Sequence, residues 1–163
     1  MSARFQLVID CADPARQTAF WAGALGYVLE PAPAGHATWK AYYQSLGVPE
    51  DELEEMADDD VDSVVDPDGV GPRIWFQPVP EGKVVKNRLL LDLKIADRTA
   101  ALETRREQVD TEVERLTGLG ASVVRVLAEP GQDHYAVTMH DPKATSSACV
   151  DRDTSDKSAR GSR

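Results

Sequence analysis

Polar and apolar positions alternate from the start of the chain. Phe5 to Cys11 (FQLVIDC) is rich in β-branched and aromatic residues and stops abruptly at Ala12-Asp13-Pro14, which predicts a strand. Asp13 is placed to cap a helix beginning at Pro14, a residue tolerated there because its missing N–H has no helical partner. Ala15, Ala19, Phe20, Ala22 and Leu25 then form a small apolar stripe, Phe20 and Trp21 read as core, and Gly26 ends the helix. Tyr27 to Leu29 predicts a short second strand. A long connection follows from Pro31 to Val61, holding a helix predicted over Thr38 to Leu46 (TWKAYYQSL) and a turn at Gly47-Val48-Pro49. Ser63 to Val65 and Arg73 to Gln77 predict strands joined through DPDGVGP, a strong turn signal.

The second half replays the first. Asn87 to Ile95 predicts a strand, Ala100 to Leu119 an amphipathic helix, and Ser122 to Leu127 and His134 to His140 two further strands. The punctuation recurs as well. Leu25-Gly26 before VLEP matches Leu119-Gly120 before VLAEP, and Asp66-Pro67-Asp68-Gly69 matches Asp141-Pro142-Lys143-Ala144. Two βαβββ units of about 80 residues explain both halves, as a duplicated module rather than a solenoid. After Val150 the chain has almost no apolar residue, and this tail is expected to be disordered.

Composition refines the picture. The 163 residues suit one domain, or two small modules sharing a core, and the 42% apolar content fits a folded chain. The formal charge of −10 argues against nucleic acid or an anionic membrane as partner. That charge is not spread evenly: residues 50–62 hold nine acids and no base, leaving 19 acids against 18 bases elsewhere. No apolar run approaches the roughly 18 residues of a membrane span, and the N-terminus lacks a secretory pattern, so a cytoplasmic protein is expected. Cys11 and Cys149 are too few for a disulfide framework and read as reduced, inert thiols.

The repeated βαβββ pattern, ADPARQTAFWAGALGY after the first strand and DPDGVGPRIWFQPVPEGKVVKNRLLLDL at the centre resemble the glyoxalase/bleomycin-resistance/extradiol-dioxygenase superfamily, the vicinal-oxygen-chelate fold, over residues 4–150. The resemblance implies an α+β fold of two βαβββ modules, residues 4–80 with an insertion at 31–62 and residues 86–150, forming a cup and often a homodimer. It does not imply one reaction, because its members include isomerases, dioxygenases, thiol transferases and proteins that only sequester antibiotics. In metal-dependent members four side chains point into the cup. The corresponding places here hold Gln6, Trp75, Leu90, and Ala148 or Cys149. One neutral amide among four positions does not hold a divalent cation, so no metal and no cofactor are expected.

Alternation puts Gln6, Val8 and Asp10 on one face, Arg73, Trp75 and Gln77 on a second, and Leu90, Asp92 and Lys94 on a third. A large ring beside a few hydrogen-bonding groups suits a flat organic ligand; Trp75 as filler of the barrel core fits equally. Asp92, on an inward face, needs a partner from Arg73, Lys94 or Arg88, or else acts as a general base. His134 is a further candidate base, and His134 with His140 reads as a structural or surface pair before a metal pair. Trp39, Tyr42 and Tyr43 share a helix face, as a lid, a dimer seal or an anchor for the insertion. The leading expectation is metal-independent binding of a small organic molecule. The alternative is a lyase, isomerase or dioxygenase with an atypical site.

The closing strand departs from the pattern that the resemblance implies. Where members carry Asp-Pro-x-Gly-Asn-Glu-Phe-Cys-Val, this chain has DPKATSSACV. Deleting one G from AAG-GGC-AAC-GAG-TTC-TGC-GTG-CGT gives AAG-GCA-ACG-AGT-TCT-GCG-TGC-GT, codons for Lys-Ala-Thr-Ser-Ser-Ala-Cys and then Val, which matches Lys143 to Val150 residue by residue. The resemblance therefore implies a frame change after Lys143, with a final strand over Ser146 to Val150 of reduced apolar content. Sequencing the gene tests this: restoring one base opens a family-like ending, and the reading fails if no single-base restoration does so.

Overall fold

A computed structural model describes residues 4–54, 56–57, 60–82, 84–85, 90–97, 99–142 and 147–152, the last six by their backbone only. The chain divides after Gly82 into two units. The first contains β1 (Leu7–Cys11), α1 (Pro14–Leu25), β2 (Val28–Leu29), α2 (Trp39–Ser45), α3 (Glu50–Leu53), β3 (Ser63–Val65) and β4 (Ile74–Pro78). The second contains β5 (Leu91–Ala96), α4 (Leu102–Gly118), β6 (Ser122–Leu127), β7 (Ala136–His140) and β8 (Ser147–Arg152). Their sheets run in the orders β1-β4-β3-β2 and β5-β8-β7-β6. In each, the opening strand lies parallel to the closing strand and the remaining pairs are antiparallel. This is an α+β fold with two βαβββ modules.

Local chemistry accounts for the first module's helices. The Asp13 carboxylate accepts the Arg16 N–H, Pro14 occupies the first turn of α1, and Gly26 closes the helix at φ 70°. Thr38 caps α2 through the Ala41 N–H. The face of α1 that is buried differs from the expected alanine stripe: Gln17, Thr18, Phe20, Trp21 and Ala24 are buried, while Ala15 and Ala19 are exposed. The large rings decide the rotation, because exposing an alanine loses little burial energy and exposing a tryptophan loses much. Trp21 meets Phe20 edge-on at 5.2 Å, and both pack with Val64, Ile74 and Phe76 in a core where Trp21, Val64 and Phe76 have no exposed surface. Strand alternation sends Ile74 and Phe76 to that core and Trp75 and Gln77 to the opposite face. The acidic run, read from sequence as part of a loop, begins with α3, whose Leu53 is buried.

In the second module Arg105, Val109 and Leu116 line the buried side of α4, facing a core that includes Leu93, Val137 and Met139. Arg105 is 3% exposed and pairs with the exposed Asp133, while its Nε and Nη1 have no hydrogen-bond partner. Two residues on, Tyr135 donates to Asp110 at 2.5 Å and lies under Arg106. The connection from β6 to β7 is thus fastened to α4 by charge and by a ring. β8 runs to Arg152, two residues past the expected end, and residues 143–146 and 153–163 lie outside the described residues. No helix among the described residues is long and apolar enough to cross a membrane.

Removing one partner of a buried charge leaves the other uncompensated. Asp133→Asn is expected to lower stability by about 1–3 kcal/mol, after allowance for the exposed carboxylate. Adding Arg105→Met should recover most of that loss in a denaturant melt, and equal losses in the single and double variants would refute the clasp.

Candidate functional site

The face of the first sheet opposite α1 carries a polar cluster centred on Arg73. Pairing sets its members side by side: Val8 lies opposite Trp75, Ser63 opposite Trp75, and Glu30 N donates to Ser63 O. The Arg73 guanidinium donates from Nε and Nη2 to Glu30 Oε2 at 2.8 and 2.6 Å, from Nη2 to Ser63 Oγ at 3.0 Å, and from Nη1 to Gln6 Oε1 at 3.0 Å. Ser63 in turn donates to Glu30 at 2.7 Å. Burial pushes the Glu30 carboxyl up, but the hydrogen bonds from Arg73 and Ser63 and the Arg73 charge outweigh it, so the net pKa lies below its ordinary value. The same pair raises Arg73.

Beside this cluster stands an aromatic wall from the insertion. Trp39 lies 5.8 Å from Tyr42 and from Tyr43, Tyr42 lies 5.6 Å from Tyr43, and His36 meets Tyr42 at 5.3 Å. Two tethers hold the wall: Trp39 Nε1 donates to the Glu30 carbonyl at 3.0 Å and Lys40 Nζ to the Met56 carbonyl at 3.2 Å. Trp39 and Tyr43 line a cavity of about 60 Å³ with Met56, Asp62 and Arg73. Burial and the nearby Asp62 charge raise the Tyr43 hydroxyl. Trp75 is half-buried and donates its indole N–H to Asp62 at 2.7 Å. The anchoring of the insertion is therefore explicit, through α2 to the end of β2.

Of the residues singled out from sequence, Gln6, Arg73 and Trp75 fall on this face with Gln77, and Trp39 reaches Arg73 across the small cavity. Tyr42 belongs to the aromatic wall. Leu90 and Asp92 sit at the start of the second sheet, in the other unit. Asp92 is exposed, and its partner is Lys94 at 3.5 Å. The demand for a partner that a buried carboxylate makes therefore does not arise, because water solvates this one; Arg73 is committed to Glu30, and Arg88 lies outside the described residues. His134 precedes β7 and His140 ends it. Sequence reasoning missed Glu30, Ser63 and Asp62. Their signal was a strand ending in an acid, a small hydroxyl opposite it and an arginine entering the next strand, and only the register joins them.

The residues at the four ligand places do not suit a divalent cation. Gln6 offers its oxygen to a guanidinium, Trp75 offers an N–H donor, and Leu90 offers a hydrocarbon. At the fourth place the register pairs Ala148 with Leu91 and Cys149 with Asp92. Among the described residues no group of three or more His, Cys, Asp and Glu is placed to hold a metal ion.

Residues 6–150 match the sequence model of a glyoxalase-like domain. No curated protein sequence matches the chain. Among solved structures, the chain is similar to the fosfomycin resistance protein FosX from Mesorhizobium loti, at 11% identity over 94% of each chain with a TM-score of 0.55. It is similar to a glyoxalase/bleomycin resistance protein/dioxygenase family enzyme from Burkholderia phytofirmans PsJN, at 14% identity over 90% of this chain and 95% of that one, TM-score 0.52. A FosX variant from Listeria monocytogenes, solved with Mn(II) and 1S,2S-dihydroxypropylphosphonic acid, matches at 11% identity over 94% of each chain, TM-score 0.55. At such identities the likeness is one of fold.

The lowered Glu30 carboxyl has a consequence for stability. Its contribution is fully present above the ordinary carboxyl value of 4.5 and is lost as pH falls through the lowered folded value. Glu30→Gln should remove about 1 kcal/mol at neutral pH, discounted for partial exposure, and flatten this part of the acid limb. An unchanged acid limb in pH-dependent thermal melts would show that the pair contributes nothing.

Proposed function

The chain belongs to the glyoxalase-like domain family, and we propose that it binds a small, flat organic molecule at the Arg73 face of its first sheet without a metal ion, as a sequestering protein. The observation that carries this reading is the guanidinium at the centre of the face. A cation is already built into the site as a side chain, and three oxygens accept its hydrogen bonds, Gln6 Oε1, Glu30 Oε2 and Ser63 Oγ. A metal ion there would have to displace a guanidinium from a bonded carboxylate and then sit beside its positive charge.

The rest of the face supports a planar ligand. Trp75 and Gln77 stand half-buried beside Val8, which is 46% exposed, so an apolar ring has surface to cover while hydrogen-bonding groups lie within reach. The cavity of about 60 Å³ under Trp39 and Tyr43 is of water size, which favours the Trp75 side for the ligand body. Asp92 is solvated and paired in the other unit, Glu30 is held by Arg73, and Asp10, the remaining carboxylate of this face, lies exposed two positions beyond Val8, which supports binding rather than turnover.

Two measurements test the proposal together. Elemental analysis of the full chain, grown with Mn, Zn, Ni and Fe and purified without chelator, should find far less than one metal per chain. Titration with 2-naphthoate and 2-naphthamide, followed by tryptophan fluorescence, should then show saturable binding that EDTA does not alter. Trp75→Ala should weaken it about ten-fold. Stoichiometric metal, or binding abolished by EDTA, would overturn the proposal.

A further inference from the structure

We propose that the bound molecule carries an anionic group, received by Arg4 and Arg73 in a cleft where β1 and β4 begin. This rests on the binding reading above and narrows its ligand to organic anions with an apolar body. The cleft measures about 480 Å³ and is lined by Arg4, Phe5, Arg73 and the turn Gly69–Pro72. That volume suits a small organic molecule. Its walls are of two kinds. Phe5 is 69% exposed and Val70 is 88% exposed, an apolar pair left largely open by the described residues. Two guanidinium groups stand beside them.

The charges in the cleft do not cancel. Glu30 balances Arg73, and the Arg73 Nη1 keeps a second N–H beyond the one given to Gln6. No acidic side chain among the described residues pairs with Arg4. The nearest acid of the turn, Asp66, is directed inward, where its oxygens accept the N–H groups of Asp68, Val70 and Gly71 at 3.0, 3.0 and 2.6 Å. These bonds lower its pKa and keep it charged, yet aim its lone pairs at the backbone. Asp68, exposed on the same turn, does not line the cleft. In a chain of net charge −10, Arg4 thus lines the cleft as a cation that none of the described ion pairs engages.

The wall opposite the arginines is also set in advance. A Cβ at Gly71 would come within 1.8 Å of the Tyr27 hydroxyl and 3.3 Å of Asp66 Oδ2, so only glycine lets the turn lie this close against Tyr27. With the turn braced by Asp66 and Tyr27, little loop ordering is left to oppose binding. A carboxylate between Arg4 and the remaining Arg73 N–H would leave one edge of its apolar body against Phe5 and Val70 and the other directed past Arg73 toward the face that carries Trp75.

The test compares an acid with its uncharged isostere. Calorimetric titration of the full chain with 2-naphthoate and 2-naphthamide should show the acid binding about ten-fold more tightly. Arg4→Gln should erase that preference, Arg4→Lys should keep part of it, and added salt should erode it in the wild type. Equal affinity for acid and amide, or a preference that survives Arg4→Gln, overturns the anion inference while the binding reading stands. Binding of neither compound overturns both.

Discussion

A single guanidinium, that of Arg73, ties together all four strands of the first sheet. It leads into β4 and reaches Gln6 at the head of β1, Glu30 at the end of β2 and Ser63 at the start of β3. These contacts cross 67, 43 and 10 residues of sequence, so they form only when the sheet has its native register. A shift of one residue along β4 would send Arg73 and Trp75 to the face that α1 buries, where a guanidinium has no partner and Ile74 and Phe76 are needed. The ion pair and the apolar core therefore select the same register from opposite faces.

The same arrangement determines what the face can do. In a fold that supports many reactions, the chemistry resides in the few side chains placed on the open face. Here those side chains form a satisfied network in which the cation is covalently part of the chain. Its donors and acceptors are mostly committed, and the face presents a ring, two amides, the edge of a positive charge and, beyond Val8, the single exposed carboxylate of Asp10. That character is the basis for reading the molecule as a receptor for a preformed ligand. The similarity to FosX bears on the fold and leaves this distinction to the residues.

Much of the architecture was legible along the chain because its signals are local. Asp13-Pro14 and Gly26 bracket α1, Thr38 begins α2, and DPDGVGP turns between β3 and β4 through Asp66, each within a few residues of the structure it causes. The repeat was legible for the same reason. The site was half legible: alternation grouped Gln6 with Val8 and Arg73 with Trp75, but no local rule announces that Glu30 belongs with them. Burial misled where residues were judged by type rather than by size, as with the alanines of α1, and where a strand face was assumed to be covered, as with Asp92. The acidic run reads from sequence as part of a long connection, yet its last member, Asp62, accepts the indole N–H of Trp75.

The most direct measurement follows the side-chain N–H resonances of this face while Zn(II), a diamagnetic ion, is added. In a spectrum of the ¹⁵N-labelled chain, the Nε–H of Arg73 and the indole N–H of Trp75 report from the two sides of the cluster. The account predicts that both keep their positions through one equivalent of Zn(II), the shifts being confined to backbone amides of the acidic segment. A stoichiometric shift of the Arg73 and Trp75 signals would mean that a metal ion enters where the guanidinium is held, and would contradict it.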